Sequence, residues 1–306
     1  MKLSQIEAFY MVIRSGSISR AARQMHLTQP ALSLQIRDLE EYFCVQLLER
    51  TNKGVKPTPA GELVYYYGQK LMSMKATLCS EIEKLQSSTA KQLRLGASTV
   101  LGGYALPCSI HSFKEKFPHA QINLSLANSQ AVLEALMEGN LDIALIEGPL
   151  PEGVVLSADE FVSRSIGEDD LVLVGAPALI PEGREAVTLA ELRGLPLLLR
   201  EKGSGVRSAI EKALLVQGVQ PGELNVMMEI NSLDAIKSTL GMGKGYSIIS
   251  YIGVRKELYY GTLKALTVEG LSYRNVFTML HKRSAFLSPL EKAFIDFMRS
   301  KDKGFC

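Results

Sequence analysis

The spacing of apolar residues predicts an α/β protein in three parts: a small N-terminal winged helix-turn-helix, a long connecting helix, and a two-lobed α/β domain. Three observations carry this reading. Helical periodicity near the start is broken twice by short turns and followed by a basic, glycine-centred hairpin. An uninterrupted apolar pattern then runs from Ala60 to Leu85. Beyond it, short apolar strands alternate with helical segments to the end of the chain, the rhythm of a doubly wound sheet.

At the front, Ile6, Phe9, Val12 and Ile13 mark a helix that stops at Ser15-Gly16-Ser17, where glycine ends one helix and serine caps the next. A short helix runs from Ile18 to Met25. His26-Leu27-Thr28 then forms a tight connection, with Thr28 as N-cap and Pro30 in the first turn, where its missing N–H does no harm. The third helix spans about Gln29 to Phe43. Leu32, Ile36, Leu39 and Phe43 form its inward stripe, leaving Gln29, Ser33, Gln35 and Arg37 outward. Two helices joined by a tight turn, the second opening with donor-rich side chains, have the form that enters a DNA major groove. Gln pairs bidentately with adenine, Ser contacts base edges or phosphate, and Ala31 or Leu34 suits a thymine methyl. Arg50, Thr51, Asn52, Lys53, Gly54, Val55 and Lys56 read as a two-stranded wing with cations for phosphate oxygens. The predicted DNA contacts are therefore Thr28, Gln29, Pro30, Ser33, Leu34, Arg37, Arg50, Thr51, Lys53 and Lys56. The plain alternative is a three-helix core with a basic hairpin.

Charge fits this division. The 306 residues carry a formal net charge of +2, yet residues 1–60 hold eight Lys or Arg against five acids. The composition, 46% hydrophobic and 22% charged, is that of a globular protein with sizeable cores. Apolar runs are short and the N-terminus lacks a signal-peptide pattern, so a cytoplasmic protein without membrane contact is expected. Cys44, Cys79, Cys108 and Cys306 lie far apart without CxxC pairing, and reduced thiols are expected, Cys108 as a buried one.

Val64, Tyr67, Leu71, Met74, Leu78, Ile82 and Leu85 step by three or four, close to a heptad seam. A helix of that length spans roughly 40 Å at 1.5 Å per residue, too long for the small front module to cover, so a partner helix and a dimer are expected. Ser87-Ser88-Thr89-Ala90 reads as a polar hinge.

The rear begins with a strand over Gln92 to Gly96, a cap at Ser98-Thr99 and a helix from about Gly103 to Phe117. A strand over Ile122 to Leu126, a helix over Ala131 to Glu138 capped by Asn128-Ser129-Gln130, and a strand over Ile143 to Ile146 follow, predicting a largely parallel sheet. A second lobe has strands at Leu171 to Val174, Leu197 to Leu199, Val226 to Glu229 and Tyr246 to Ser250, with helices at Val206 to Val216 and Ser232 to Gly241. Residues Leu280 to Met298 are expected to return to the first lobe. Ligands of such sheets bind at strand C-terminal ends and helix N-termini, which here bring together Ser98, Thr99, Asn128, Ser129, Gln130, Glu147, Arg200, Ser204 and Arg207. Hydroxyls, free N–H groups and two arginines suit a small anion; plain helix capping is the alternative for each Ser and Thr.

The run from Ser17 to Glu40 (SISRAARQMHLTQPALSLQIRDLE), with Leu47-Leu48-Glu49-Arg50 and Thr58-Pro59-Ala60-Gly61, resembles the winged helix-turn-helix of LysR-type transcriptional regulators; Leu34 and Leu48 depart from the commonest pattern. The resemblance covers essentially the whole chain. It implies a DNA-binding domain over 1–59, a linker helix and hinge over 60–90, and a periplasmic-binding-protein-like effector domain over 91–306. Within that domain, lobe I is about 91–164 and 267–306 and lobe II about 165–266. It further implies an operator in double-stranded DNA, a homodimer or homotetramer, and contact with RNA polymerase. Asn128-Ser129-Gln130, Ile146 to Pro149 and Arg200 to Arg207 resemble the branch that senses sulfur oxyanions or carbon-fixation metabolites. Sulfite or sulfate is the expected effector, with a phosphorylated or aromatic metabolite as the alternative. No enzyme is expected: GxSxG, GxxxxGK[ST] and HExxH are absent, the four histidines lack metal spacing, and no cofactor is implied. The reading from a different class is a two-lobed α/β enzyme with an accessory DNA-binding domain.

Overall fold

The computed structural model describes residues 1–51, 54–86, 92–151, 154, 156–271, 274–283 and 287–306, and divides into two compact units, Met1–Glu83 and Lys84–Cys306. In the first unit α1 (Leu3–Ser15), α2 (Ile18–Gln24) and α3 (Gln29–Phe43) close over Ile6, Phe9, Val12, Leu32, Ile36 and Leu39. Gly16 ends α1 at φ 65°, and Ser17 caps α2 by accepting from Arg20 N. Thr28 Oγ1 accepts from Ala31 N at 3.3 Å and caps α3, with Pro30 in its first turn. Phe43, expected on the inward stripe, is exposed. The helix ends there at Cys44, in the left-handed region, and the stripe closes one turn earlier at Leu39. The hairpin forms from β1 (Leu48–Thr51) and β2 (Gly54–Pro57), antiparallel. It docks on the turn between α1 and α2 through Val55 N to Gly16 O, 3.2 Å. A side chain at position 54 would collide with that same carbonyl, so the site requires glycine. The connecting helix, α4, spans Pro59–Gln86. The expected hinge, 87–90, lies outside the described residues.

The second unit opens with β3 (Gln92–Ser98). The next helix starts as a π turn over Leu101–Ala105 and continues as α5 (Leu106–Lys116). Then come β4 (Gln121–Ala127), α6 (Ser129–Met137) and β5 (Ile143–Glu147), with β3 parallel to both β4 and β5. The strand expected at Leu171 to Val174 is the end of a much longer one, β6 (Phe161–Gly175). Its first half is largely exposed and polar, with only Phe161 and Ile166 buried, which hid it from an apolar-run reading. There follow β7 (Ala186–Val187), α7 (Leu189–Gly194), β8 (Leu197–Arg200), α8 (Gly205–Val216), β9 (Val226–Ile230), α9 (Leu233–Gly241), β10 (Tyr246–Ser250), α10 (Tyr251–Tyr259) and β11 (Lys264–Val268). The chain returns through β12 (Arg274–Lys282), which pairs with β5 and β6 in the first lobe, and α11 (Pro289–Arg299).

The ten strands form one sheet in the order β4-β3-β5-β12-β6-β10-β8-β9, with β11 on β6 and β7 on β11. It is parallel within each lobe and antiparallel through β12 and β6 at the centre, where the chain crosses between lobes. Each lobe buries its own core. Leu93, Leu95, Phe113, Phe277 and Phe294 fill the first, and Leu197, Leu199, Ile210, Leu214 and Ile248 the second.

The cysteine expectation is corrected. Cys108 is exposed and forms a disulfide with Cys306, a pairing that 198 intervening residues concealed; Cys44 and Cys79 are free.

Candidate functional site

On the first unit, α3 carries its predicted recognition residues at the surface. Gln29 is exposed, with Oε1 accepting from Ser19 Oγ at 2.9 Å. Leu34 is exposed, Ser33 half-buried, and Arg37 is solvated beside Glu41 at 3.7 Å. Pro30, Ser33, Leu34, Arg37, Gln46 and Glu49 line a groove of about 920 Å³ between the helix and the hairpin. Glu40 fastens the hairpin to α3, its Oε1 accepting from Leu47 N at 2.8 Å and Leu48 N at 3.2 Å. Lys56 is exposed on β2. Arg50 and Thr51 lie in β1 without described side chains, and Lys53 lies outside the described residues.

Along α4, Tyr67, Leu71, Met74, Leu78 and Ile82 are exposed, between 37% and 68%. Five large apolar side chains in a helical row face water, a pattern that calls for a covering partner. Val64 is half-buried, and the side chain of Leu85 is not among those described.

In the second unit, the sequence-predicted residues meet where the lobes touch. Ser98 ends β3 and is buried, with its hydroxyl turned to the Glu147 carboxyl. Thr99, expected as a cap, instead accepts from Arg200 Nη2 at 2.9 Å. Arg200 is buried at the end of β8 and holds Glu201 through two hydrogen bonds, Nε to Oε2 at 2.9 Å and Nη2 to Oε1 at 3.0 Å; its Nη1 is buried and unpartnered. Glu147 closes β5 fully buried, accepting from Asn275 Nδ2 at 3.2 Å, while Asn275 Oδ1 has no partner. Burial pushes the Glu147 carboxyl up to about 7, against the opposing pull of Arg200, Asn275 and Ser98.

Around this cluster the lobes are joined. Asn128 caps α6 by accepting from Ala131 N at 2.9 Å. Ser129 Oγ donates to Glu147 O at 3.1 Å, and Gln130 N donates to Gly203 O at 3.2 Å across the seam. The Gln130 side chain turns to Glu134. Ser204 is buried at the start of α8 and makes no side-chain cap.

Arg207 departs from expectation. Its guanidinium donates to Glu211 at 2.8 Å and to Arg200 O at 3.0 Å and pairs with Glu229 at 2.7 Å, so it braces α8 against β8 and β9 and is not an open cation. Asn275 and Glu201 belong to the cluster and were missed. A lone amide amid the apolar alternation of β12 was the available signal for Asn275. A second junction was also missed. Tyr104 OH donates to Asp234 Oδ1 at 2.6 Å and accepts from Lys237 Nζ at 3.0 Å, and Lys237 also reaches Glu257.

A helix-turn-helix with an exposed recognition helix, joined to a two-lobed α/β unit with a buried polar seam, defines a DNA-binding regulator with a small-molecule domain. Residues 3–62 match the model for the bacterial regulatory helix-turn-helix protein of the lysR family, and residues 86–303 that for the LysR substrate binding domain. The chain belongs to the LysR family of transcriptional regulators. It is 32% identical to the uncharacterized HTH-type transcriptional regulator YeiE of Escherichia coli K12, over 96% of both chains. It is 28% identical to a probable RuBisCO transcriptional regulator of Cyanidioschyzon merolae, over 89% of each. Among solved structures, CbnR, a LysR family transcriptional regulator, superposes with TM-score 0.55 at 17% identity, covering 98% of this chain and all of that one. The regulatory domain of Synechocystis PCC6803 CcmR in complex with 2-PG gives 0.59 at 21% identity, covering 68% of this chain and 95% of that one. No described helix is long and apolar enough to cross a membrane.

Proposed function

We propose that this regulator is controlled by a small oxyanion, sulfite or sulfate, held between the lobes at Ser98, Thr99, Glu147 and Arg200. The observation that carries the reading is the convergence on one seam of two buried, unpartnered polar atoms, Arg200 Nη1 and Asn275 Oδ1, with the buried Ser98 hydroxyl beside the Glu147 carboxyl. Buried polar groups without partners cost free energy, and an anion accepting from the Arg200 guanidinium removes that cost while the Ser98 hydroxyl offers it a second donor. Glu147, with its carboxyl raised to about 7, supplies a further donor in its protonated form. A phosphorylated metabolite is the second reading. It is favoured by the relatives named as probable RuBisCO transcriptional regulators and by the complex of the CcmR regulatory domain with 2-PG.

In this proposal residues 1–59 bind operator DNA, with the base-reading role on Gln29, Ser33 and Leu34, the phosphate-facing role on Arg37, Arg50, Thr51, Lys53 and Lys56, and Thr28 and Pro30 at the helix start that meets the DNA. Residues 60–90 join two chains through the exposed seam of α4, and pairs of dimers form a tetramer. Residues 91–306 take the effector. Its entry changes lobe closure, and with it DNA bending and contact with RNA polymerase. Coupling of this kind is reciprocal, so operator DNA also changes effector affinity.

The test is thermal unfolding of the full chain with sulfite, sulfate, phosphate, sugar phosphates and aromatic acids, on the wild type and on Ser98→Ala. At a hundred times its dissociation constant a ligand adds about 2.7 kcal/mol. One anion raising the wild-type midpoint, and failing to raise that of Ser98→Ala, is the expected result. Stabilisation by an uncharged compound alone overturns the anion reading.

A further inference from the structure

The segment after α11 runs back over the first lobe and is fastened residue by residue. Asp302 pairs with Lys116 at 2.7 Å, Lys303 Nζ donates to Ile166 O, and Gly304 O accepts from Ser109 Oγ at 3.2 Å. Cys306 N donates to Ala105 O at 3.0 Å, and its sulfur is bonded to that of Cys108. Between these ties the Phe305 ring meets Phe277 edge-on, with centroids 5.8 Å apart. The same ring covers Gly167, where an added Cβ would come within 2.8 Å of it.

The covered position is a special one. The ladder between β6 and β12 slips there: Phe277 faces Gly167 but Thr278 faces Ser165, leaving Ile166 as an extra residue. Such a bulge bends the strand and increases its twist. Asp170, three residues beyond Gly167, is the last β6 residue on β12, and Leu171 is the first on β10. Lys303 and Phe305 therefore grip the bend just before β6 crosses from one lobe to the other. Phe305 is the sole large apolar residue of the segment Lys301–Cys306, so the covalent bond at Cys306 is its strongest anchor.

We propose that Cys108 and Cys306 are a redox modification site, oxidised by a peroxide, whose disulfide clamps Phe305 on the β6 bulge and restrains the crossover between the lobes. The exposed Cys108 is the attacking thiolate. It takes one peroxide oxygen, the O–O bond breaks, Cys108 becomes a sulfenic acid, and the other oxygen leaves with a proton as water or an alcohol. The Cys306 thiolate then displaces the sulfenic hydroxyl, which leaves with the second proton as water while the S–S bond forms. The two sulfurs supply the two electrons that reduce the peroxide, and a dithiol reverses the step by exchange. In the reduced protein Phe305 is held only by non-covalent contacts, and the bulge opens more often.

The test compares the full chain reduced with dithiothreitol and oxidised with stoichiometric hydrogen peroxide. Thiol titration in denaturant should fall from four groups to two, with a cross-linked peptide joining Cys108 to Cys306. Amide hydrogen exchange over Phe161–Asp170 should be slower in the oxidised form, by about tenfold. Cys306→Ser should exchange like the reduced wild type with or without peroxide, its Cys108 stopping at the sulfenic acid, and Phe305→Ala should form the disulfide yet lose the protection. Four thiols persisting after peroxide, or a disulfide that leaves exchange over Phe161–Asp170 unchanged, overturns the proposal.

Discussion

Gly205, the first residue of α8, sits directly on the backbone carbonyl of Glu147, and a Cβ there would overlap that oxygen. The contact joins the N-terminus of a second-lobe helix to the last residue of a first-lobe strand, beside the buried polar seam. Alanine at an open position near a helix end is ordinarily neutral or favourable. Gly205→Ala should instead lower stability by about 1–3 kcal/mol, because a backbone carbonyl cannot yield as a flexible side chain can. Gly241→Ala at the end of α9, where nothing stands within 4 Å, is the control and should be neutral or better. Chemical denaturation of the two variants measures the difference.

Glu147 gives a pH dependence with a definite sign. Its carboxyl titrates near 7 in the folded chain against an ordinary value of 4.5, so between those values the folded state holds a proton that the unfolded state releases. Its contribution to stability is full below about pH 4.5, declines as pH rises toward 7, and is level above. Subtracting the denaturation profile of Glu147→Gln from that of the wild type should leave this slope. A difference curve that rises from pH 4.5 to 7 would contradict the assignment. Oxyanion affinity should likewise strengthen as pH falls through 7, since the protonated carboxyl donates where the ionised one repels.

Under the proposed function, base recognition falls to Gln29 and phosphate contact to Lys56. Gln29→Ala should cost about 1–3 kcal/mol of preference for promoter over random DNA. Lys56→Ala should weaken binding to both DNAs equally and reduce the slope of log affinity against log salt by about one. Electrophoretic or fluorescence titrations at several salt concentrations read both effects. Equal losses on both DNAs from Gln29→Ala would remove its base-reading role.

The exposed row on α4 predicts an oligomer that one charge can break. Leu78 is 58% exposed in the single chain, so Leu78→Glu should leave the fold of each unit intact. Its carboxylate would be buried unpaired in a helix pair, and sedimentation should show the wild-type dimer giving way to monomer at micromolar concentration. A wild-type monomer would rule out the seam.

The elements most legible in the sequence were those whose signals are local. Gly16, Ser17, Thr28 and Pro30 punctuate the front helices by their own backbone and capping chemistry, and each acts as read. The positions of Ser98, Glu147 and Arg200 at strand ends follow from the βαβ rhythm, which places such ends along one edge. What escaped depended on contacts distant in sequence. Arg207 looked like a free cation until β9 brought Glu229 beside it, and Phe43 looked buried because a period of 3.6 does not say where a core stops. Cys108 and Cys306 carry no spacing signal, since only the return of the chain across the first lobe makes them neighbours.

The bond from Val55 to Gly16, with glycine at 54 pressed on the same carbonyl, has a consequence for how fast DNA is engaged. Strand β2 takes its bearing from the turn that launches α2, and through Glu40 the hairpin is also moored to α3. The spacing between α3 and the hairpin strands is thus set before any duplex arrives. Little ordering entropy is left to lose at the encounter, and a collision that seats one element already carries the other into register.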